Sequence, residues 1–105
     1  MISMKKIFIS QPMRGKADEE ILRERKALIA DAAVALREDE IRVLDTIFTD
    51  FAEGTPPLVY LGRSLEVLAR ADAAVFAPGW ETARGCRIEH DAAEAYGIPI
   101  VELRG

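Results

Sequence analysis

The stretch Asp72-Ala73-Ala74-Val75-Phe76-Ala77, followed at once by Pro78-Gly79-Trp80-Glu81-Thr82-Ala83-Arg84-Gly85, decides the fold. Five successive residues from Ala73 carry no polar group, and a strand of that kind suits a sheet covered on both faces. The proline and the two glycines then end the strand and open a loop. Residues 86–96 have helical character and stop at Gly97, and residues 98–103 form a last strand with Pro99 near its start. Upstream, residues 58–71 place Leu61, Leu65 and Leu68 on one helical face. Residues 46–57 hold Gly54, Pro56 and Pro57 and make a long irregular connection, with a second strand at 41–45 before it. From 17 to about 38, Ile21, Leu22, Leu28, Ile29, Ala32, Ala33 and Leu36 recur at helical steps. Asp18 supplies the negative start that a helix dipole favours. Residues 5–10 are the first strand, and 11–15 the loop after it, because Pro12 lacks a ladder donor.

Strands alternating with helices imply parallel pairing and right-handed crossovers. The simplest arrangement is an α/β, flavodoxin-like three-layer sandwich. Its parallel sheet has four strands, or five, in the order 2-1-3-4. The topological switch, where the strand order reverses, then falls between strands 1 and 3, and ligands bind beyond the carboxyl ends of those strands. Residues 10–15 and 78–85 emerge there.

Composition narrows the function. The chain has 105 residues, the size of one domain, and residues 1–105 read as a single unit. It is half hydrophobic and 30% charged, which is ordinary globular composition. A net charge of −4 argues against a nucleic-acid polymer as partner. No apolar run approaches the ~20 residues of a membrane span, and the first residues lack signal-peptide architecture, so the expected setting is cytoplasmic. Cys86 and His90 are the only cysteine and histidine, which leaves no intramolecular disulfide and no Cys/His metal cluster. No cofactor is expected.

The first loop sets a hydroxyl (Ser10), an amide (Gln11), a guanidinium (Arg14) and a glycine (Gly15) ahead of a helix. That set can cradle a phosphate or a sugar, or be a plain strand-to-helix turn. It has neither the Walker nor the GxGxxG spacing. In the second loop, Gly79 and Gly85 permit unusual backbone angles, and Trp80 can stack on a flat ring or cap the core. Glu89 falls one turn after Gly85. It either compensates the helix dipole, or is a carboxylate aimed into the crevice and held ionised by the helix amino end with Arg84 or Arg87. A carboxylate of the second kind can attack an anomeric carbon. Asp72 starts the third strand at the end remote from the crevice. His90 projects about 100° away from Glu89 round the helix and reads as a surface residue. Cys86 sits at a helix amino terminus, where a thiol's pKa falls.

The strings Ile9-Ser10-Gln11-Pro12-Met13-Arg14-Gly15, Tyr60-Leu61-Gly62-Arg63-Ser64-Leu65, Ala71-Asp72 and Pro78 through His90 resemble one family. It is the short, largely uncharacterised bacterial and phage branch of the nucleoside 2-deoxyribosyltransferase-like superfamily. The resemblance implies the same flavodoxin-like fold and a crevice for a nucleoside or nucleotide. In the relatives a Gly-x-x-x-Glu element carries the nucleophile, matched here by Gly85 to Glu89. An Arg-Gly in the first loop lies near the phosphate, matched by Arg14-Gly15. By that match Glu89 is the catalytic residue. The binding set is Ser10, Gln11, Met13, Arg14 and Gly15 on one lip, Gly79, Trp80, Thr82, Arg84 and Gly85 on the other, and Ser64 from the second helix. The chain departs from its relatives at two helpers. They have an acidic residue where Ser64 stands and Asp or Ser where Ala83 stands, with Thr82 next door. Either Asp45 or Glu81 then protonates the leaving base, or the protein binds a nucleotide without turning it over.

Two functions follow. One is an enzyme of the N-glycosidic bond, a deoxyribosyltransferase or a nucleoside or nucleotide N-hydrolase. The other is a nucleotide-binding or sensing module that uses the same pocket without chemistry. A plain scaffold domain is disfavoured by the two glycine-bearing loops. Relatives assemble into oligomers that complete each other's sites, and a chain this small buries modest area alone, so a homodimer or larger homo-oligomer is expected.

Overall fold

Two faces of one sheet are separated by residue parity, and this places every group of the candidate site. A computed structural model describes residues 4–48 and 50–104. The chain runs β1 (Lys5–Ser10), α1 (Asp18–Leu36), β2 (Ile41–Val43), α2 (Pro57–Leu68), β3 (Ala73–Phe76), a short 3-10 turn (Trp80–Thr82), α3 (Arg84–Ala95) and β4 (Ile100–Glu102). The four strands are parallel and ordered β2-β1-β3-β4. This is the expected flavodoxin-like α/β sandwich, and among the described residues the sheet has four strands.

β3 is buried at all four positions, as is β1 from Ile7 to Ser10. Successive strand residues point to opposite faces. Ile7, Ile9, Ala73, Val75 and Ala77 pack against Leu28 and Ala32 of α1. Phe8, Ala74 and Phe76 pack against Val67 and Leu68 of α2 and Ala93 of α3. Phe8 and Phe76 are fully buried, and each contributes about 1.5–3 kcal/mol from water exclusion.

Element ends differ from the sequence reading for local reasons. α1 stops at Leu36 because Arg37 adopts φ 55, a left-handed cap whose N–H reaches Ala33 and Val34 carbonyls. α2 begins on Pro57, whose missing N–H costs nothing in a first turn. Its end at Leu68 falls before the expected 71. The 3-10 turn at 80–82 was not anticipated, and α3 starts two residues early, at Arg84. At the amino end of the sheet, the Lys6 N–H donates to Asp72 Oδ2 at 2.7 Å, and the Asp72 N–H returns a bond to the Lys6 carbonyl. Asp72 therefore clasps β1 to β3 at the end remote from the loops, as the sequence suggested. Among the described residues no helix is long and apolar enough to cross a membrane.

Candidate active site

The parity of β1 sends Ser10 to the α2–α3 side of the sheet, at the strand's carboxyl end. There its hydroxyl donates to Glu89 Oε1 at 2.6 Å. Ser10 and Glu89 are both buried, Glu89 at 9% exposure. A short bond to a carboxylate in such surroundings stabilises by about 1.5–3 kcal/mol. Burial nevertheless dominates the acid. It pushes the Glu89 carboxyl up from 4.5 to about 7, opposed by the hydroxyls of Ser10 and, from α2, Ser64. Among the described residues Glu89 forms no ion pair. Arg87 is engaged elsewhere, donating to the Glu81 carbonyl at 2.9 Å, and Arg84 is exposed on the first turn of α3. The expectation of a carboxylate held ionised by Arg84 or Arg87 is therefore corrected. This acid is desolvated and held by the Ser10 hydroxyl, with Ser64 opposing the shift from α2.

Cys86 lies one turn before His90 and is buried. Burial, with Glu89's charge adding, raises the thiol to about 11 against the Ser10 hydroxyl. The lowering expected at a helix amino terminus is overridden because the sulfur faces the core instead of solvent. It is no nucleophile at neutral pH.

The first lip divides. Arg14 and Gly15 form its exposed turn, with Gly15 at φ 80, and the Met13 carbonyl accepts from the Lys16 N–H. Gln11 turns inward instead. Its Nε2 donates to the Ile21 carbonyl at 2.8 Å, and its Oε1 faces Arg25 Nη1 at 3.5 Å. Both ends of that amide are spent on fastening α1, so the structure does not present Gln11 to a sugar. Arg25 also donates to the Leu44 carbonyl at 3.3 Å and to Thr46 Oγ1 at 3.0 Å. It is 7% exposed, and desolvation lowers its pKa, opposed by Asp45. Sequence reasoning missed it, although positions 21, 25, 28 and 32 make one helical stripe that is buried throughout.

On the second lip, Gly79 takes φ 85 and Thr82 Oγ1 donates back to the Gly79 carbonyl at 2.7 Å. Gly85 is half-buried in the first turn of α3. Trp80 packs on the core of the α2–α3 side, 5.7 Å from Phe76, with His90 flat on one face at 4.0 Å and 2°. The core-capping reading of Trp80 is thus the one its contacts give. His90 is not the surface residue expected. Its ring is enclosed by Trp80 and Phe76, and its Nε2 lies 2.8 Å from Glu102 Oε2. The signal was its place four residues after Cys86 and three before Ala93, two other buried positions of the helix.

Two depressions flank this crest. One, about 350 Å³, lies where β2 exits toward α2, between Asp45, Phe48, Arg63 and Arg70. The other, about 320 Å³, lies on the α1 side and is walled by Pro12 and Pro78 of the two lips. Both have the size of small-ligand sites, and neither is lined by Glu89. The structure thus brings Ser10, Ser64 and Glu89 together, and holds Gln11 and Trp80 in packing roles beside them.

No curated protein matches the chain. A solved structure, that of a conserved protein from Enterococcus faecalis V583, is similar over 95% of this chain with a TM-score of 0.65 and 24% identity. The chain spans 63% of that protein's length, and at this identity the likeness concerns the fold. Residues 5–102 match the family model described as "Domain of unknown function (DUF4406)", and the chain belongs to that family.

Proposed function

We propose that this domain acts on the N-glycosidic bond of a nucleoside or nucleoside monophosphate, with Glu89 as the nucleophile. The observation that carries the reading is the buried, ion-pair-free Glu89 carboxyl, raised to about 7 and oriented by Ser10 beyond the ends of β1 and β3. An acid shifted by desolvation at the ligand-binding end of a parallel sheet is a functional-site candidate. The resemblance to nucleoside 2-deoxyribosyltransferase-like proteins supplies the substrate class.

In the proposed reaction the Ser10 hydroxyl holds Oε1, and the other carboxylate oxygen attacks C1′. The C1′–N bond breaks, its electron pair leaves with the base, and the base takes a proton from Asp45 or Glu81. Water then attacks C1′ of the glycosyl ester. Its oxygen stays on the sugar, one of its protons returns to the acid that protonated the base, and Glu89 is released as carboxylate. A second base in place of water gives transfer. Two displacements leave the anomeric configuration unchanged. Arg14, exposed at the tip of the first lip, is the proposed phosphate or ribose contact.

A second reading, a nucleotide-binding module without turnover, is favoured by Ser64 and Ala83, which carry no acid where the relatives place helpers. Loss of such help typically costs ~10²–10⁴-fold in rate. The test incubates the protein with deoxynucleosides and their monophosphates, follows free base by chromatography and seeks a glycosyl adduct by intact mass. Turnover abolished in Glu89→Gln supports the enzyme. Binding by calorimetry with no base released replaces it with the module. A cytoplasmic homo-oligomer belongs to the same proposal, supported by the exposed Leu58, Val59 and Tyr60 at the start of α2. A monomer by light scattering would remove that part.

A further inference from the structure

Ser10, Phe76 and Glu102 stand in one row across β1, β3 and β4, because Ser10 pairs with Phe76 and Phe76 with Glu102. Helix α3 lies over this row, and two of its consecutive residues reach the two outer members. Glu89 turns toward β1 and accepts from Ser10 at 2.6 Å. His90 turns toward β4, its Nε2 2.8 Å from Glu102 Oε2. Between them the Phe76 ring contacts the His90 ring at 4.8 Å. Side chains on adjacent helical residues diverge by about 100°, so these two bonds brace α3 from opposite sides. Turning the helix about its axis to relax one bond stretches the other.

We infer that His90 is a positioning residue that sets the rotation of α3 and so seats the Glu89 carboxyl against Ser10. The flat stack on Trp80, 4.0 Å away and 2° from parallel, fastens the 80–82 turn to the same brace. Among the described residues, the charged groups facing the imidazole are Glu102 of β4 and, at 4.0 Å from Nδ1, Glu94 of α3 itself. Phe76 and Trp80 cover it from β3 and from the turn, and neither carries a charge. The inference rests on Glu89 as the reacting group.

The test reads Glu89 directly, by carbon NMR of the labelled carboxyl during a pH titration, with no substrate present. The wild-type midpoint is expected near 7, where burial pushes it. His90→Phe keeps a flat ring beside Trp80 and loses the bond to Glu102. The Glu89 midpoint is expected to fall by about one unit or more toward the ordinary carboxylate range as the helix turns and water reaches the acid, because burial is the largest influence on it and its relief outweighs the loss of the Ser10 bond. His90→Gln keeps a donor for Glu102 and restores most of the wild-type value. An unmoved midpoint in His90→Phe, or an equal fall in both variants, overturns the inference. If His90→Phe fails to give the near-ultraviolet signal of Trp80, the only tryptophan, Glu102→Ala removes the acceptor with the ring in place. The midpoint must fall there too. Absence of base release would remove the proposed reaction and leave these midpoints as they are.

Discussion

Replacing Glu89 with Gln keeps the side-chain shape and an oxygen for the Ser10 hydroxyl, but removes the charge. In the native chain the acid titrates near 7 against an ordinary value of 4.5, because burial disfavours the anion. The folded state therefore binds its proton more tightly than the unfolded state does. Between those two values the unfolded chain carries fewer protons, so stability falls as pH rises through the window, and the loss is complete above about 7. At about 1.4 kcal/mol per pH unit, the gap amounts to about 3 kcal/mol. Gln has no such loss. Glu89→Gln and wild type should thus be nearly equal in stability near pH 4.5, and the variant more stable by about 3 kcal/mol at pH 8. For a domain of this size that is about 10 °C or more in Tm. The assay is paired urea melts at about pH 5, 6, 7 and 8. The variant-minus-wild-type difference cancels the titration of the other carboxyls. A difference that stays constant over that range refutes the reasoning. A residue that weakens the fold whenever it is charged is better explained by chemistry at the site than by packing.

Arg25→Met keeps the volume but leaves the Leu44 carbonyl and the Thr46 hydroxyl without their donor. Urea melts should show a loss of about 2–4 kcal/mol, and a loss under about 0.5 kcal/mol would show that the network is dispensable. Cys86, raised to about 11 by burial, should react with an aromatic disulfide reagent at pH 8 at least ~100-fold more slowly in native protein than in urea. Equal rates would contradict the burial described. Gly79→Ala should cost about 1 kcal/mol in the same melts. Its φ is 85 and a Cβ there would meet no heavy atom within 4 Å, so the cost is conformational alone. A neutral substitution would mean that the turn relaxes.

The strand order was legible because β3 carries no polar residue and the loops after β1 and β3 carry Pro and Gly, signals that need no knowledge of tertiary contacts. Helix α1 was legible from its apolar spacing, although its last turn depended on a left-handed arginine that no propensity rule favours. Glu89 could be placed on a helix near the crevice. Its environment could not, because desolvation depends on what α2 and β1 bring over it, residues more than twenty positions away in the chain. The same limit applies to His90. One turn of helix suffices to judge its direction, but its burial comes from Trp80 and from Glu102 on another strand. Gln11 was assigned by its chemistry as a polar loop residue. Its amide is consumed by a carbonyl ten residues on, a contact set by how α1 returns across the sheet.

The pairing of β1 with β3 has a kinetic consequence. Lys6 and Asp72 are 66 positions apart in the chain, and everything from α1 to α2 forms the intervening loop. Parallel pairs of high sequence separation form late, because loop-closure entropy is lost before their contacts return anything. Ser10 meets Glu89 only once this closure is complete, across 79 positions. In a stopped-flow refolding experiment, recovery of the raised Glu89 midpoint should therefore coincide with the slowest folding phase, with α1 helicity already in place.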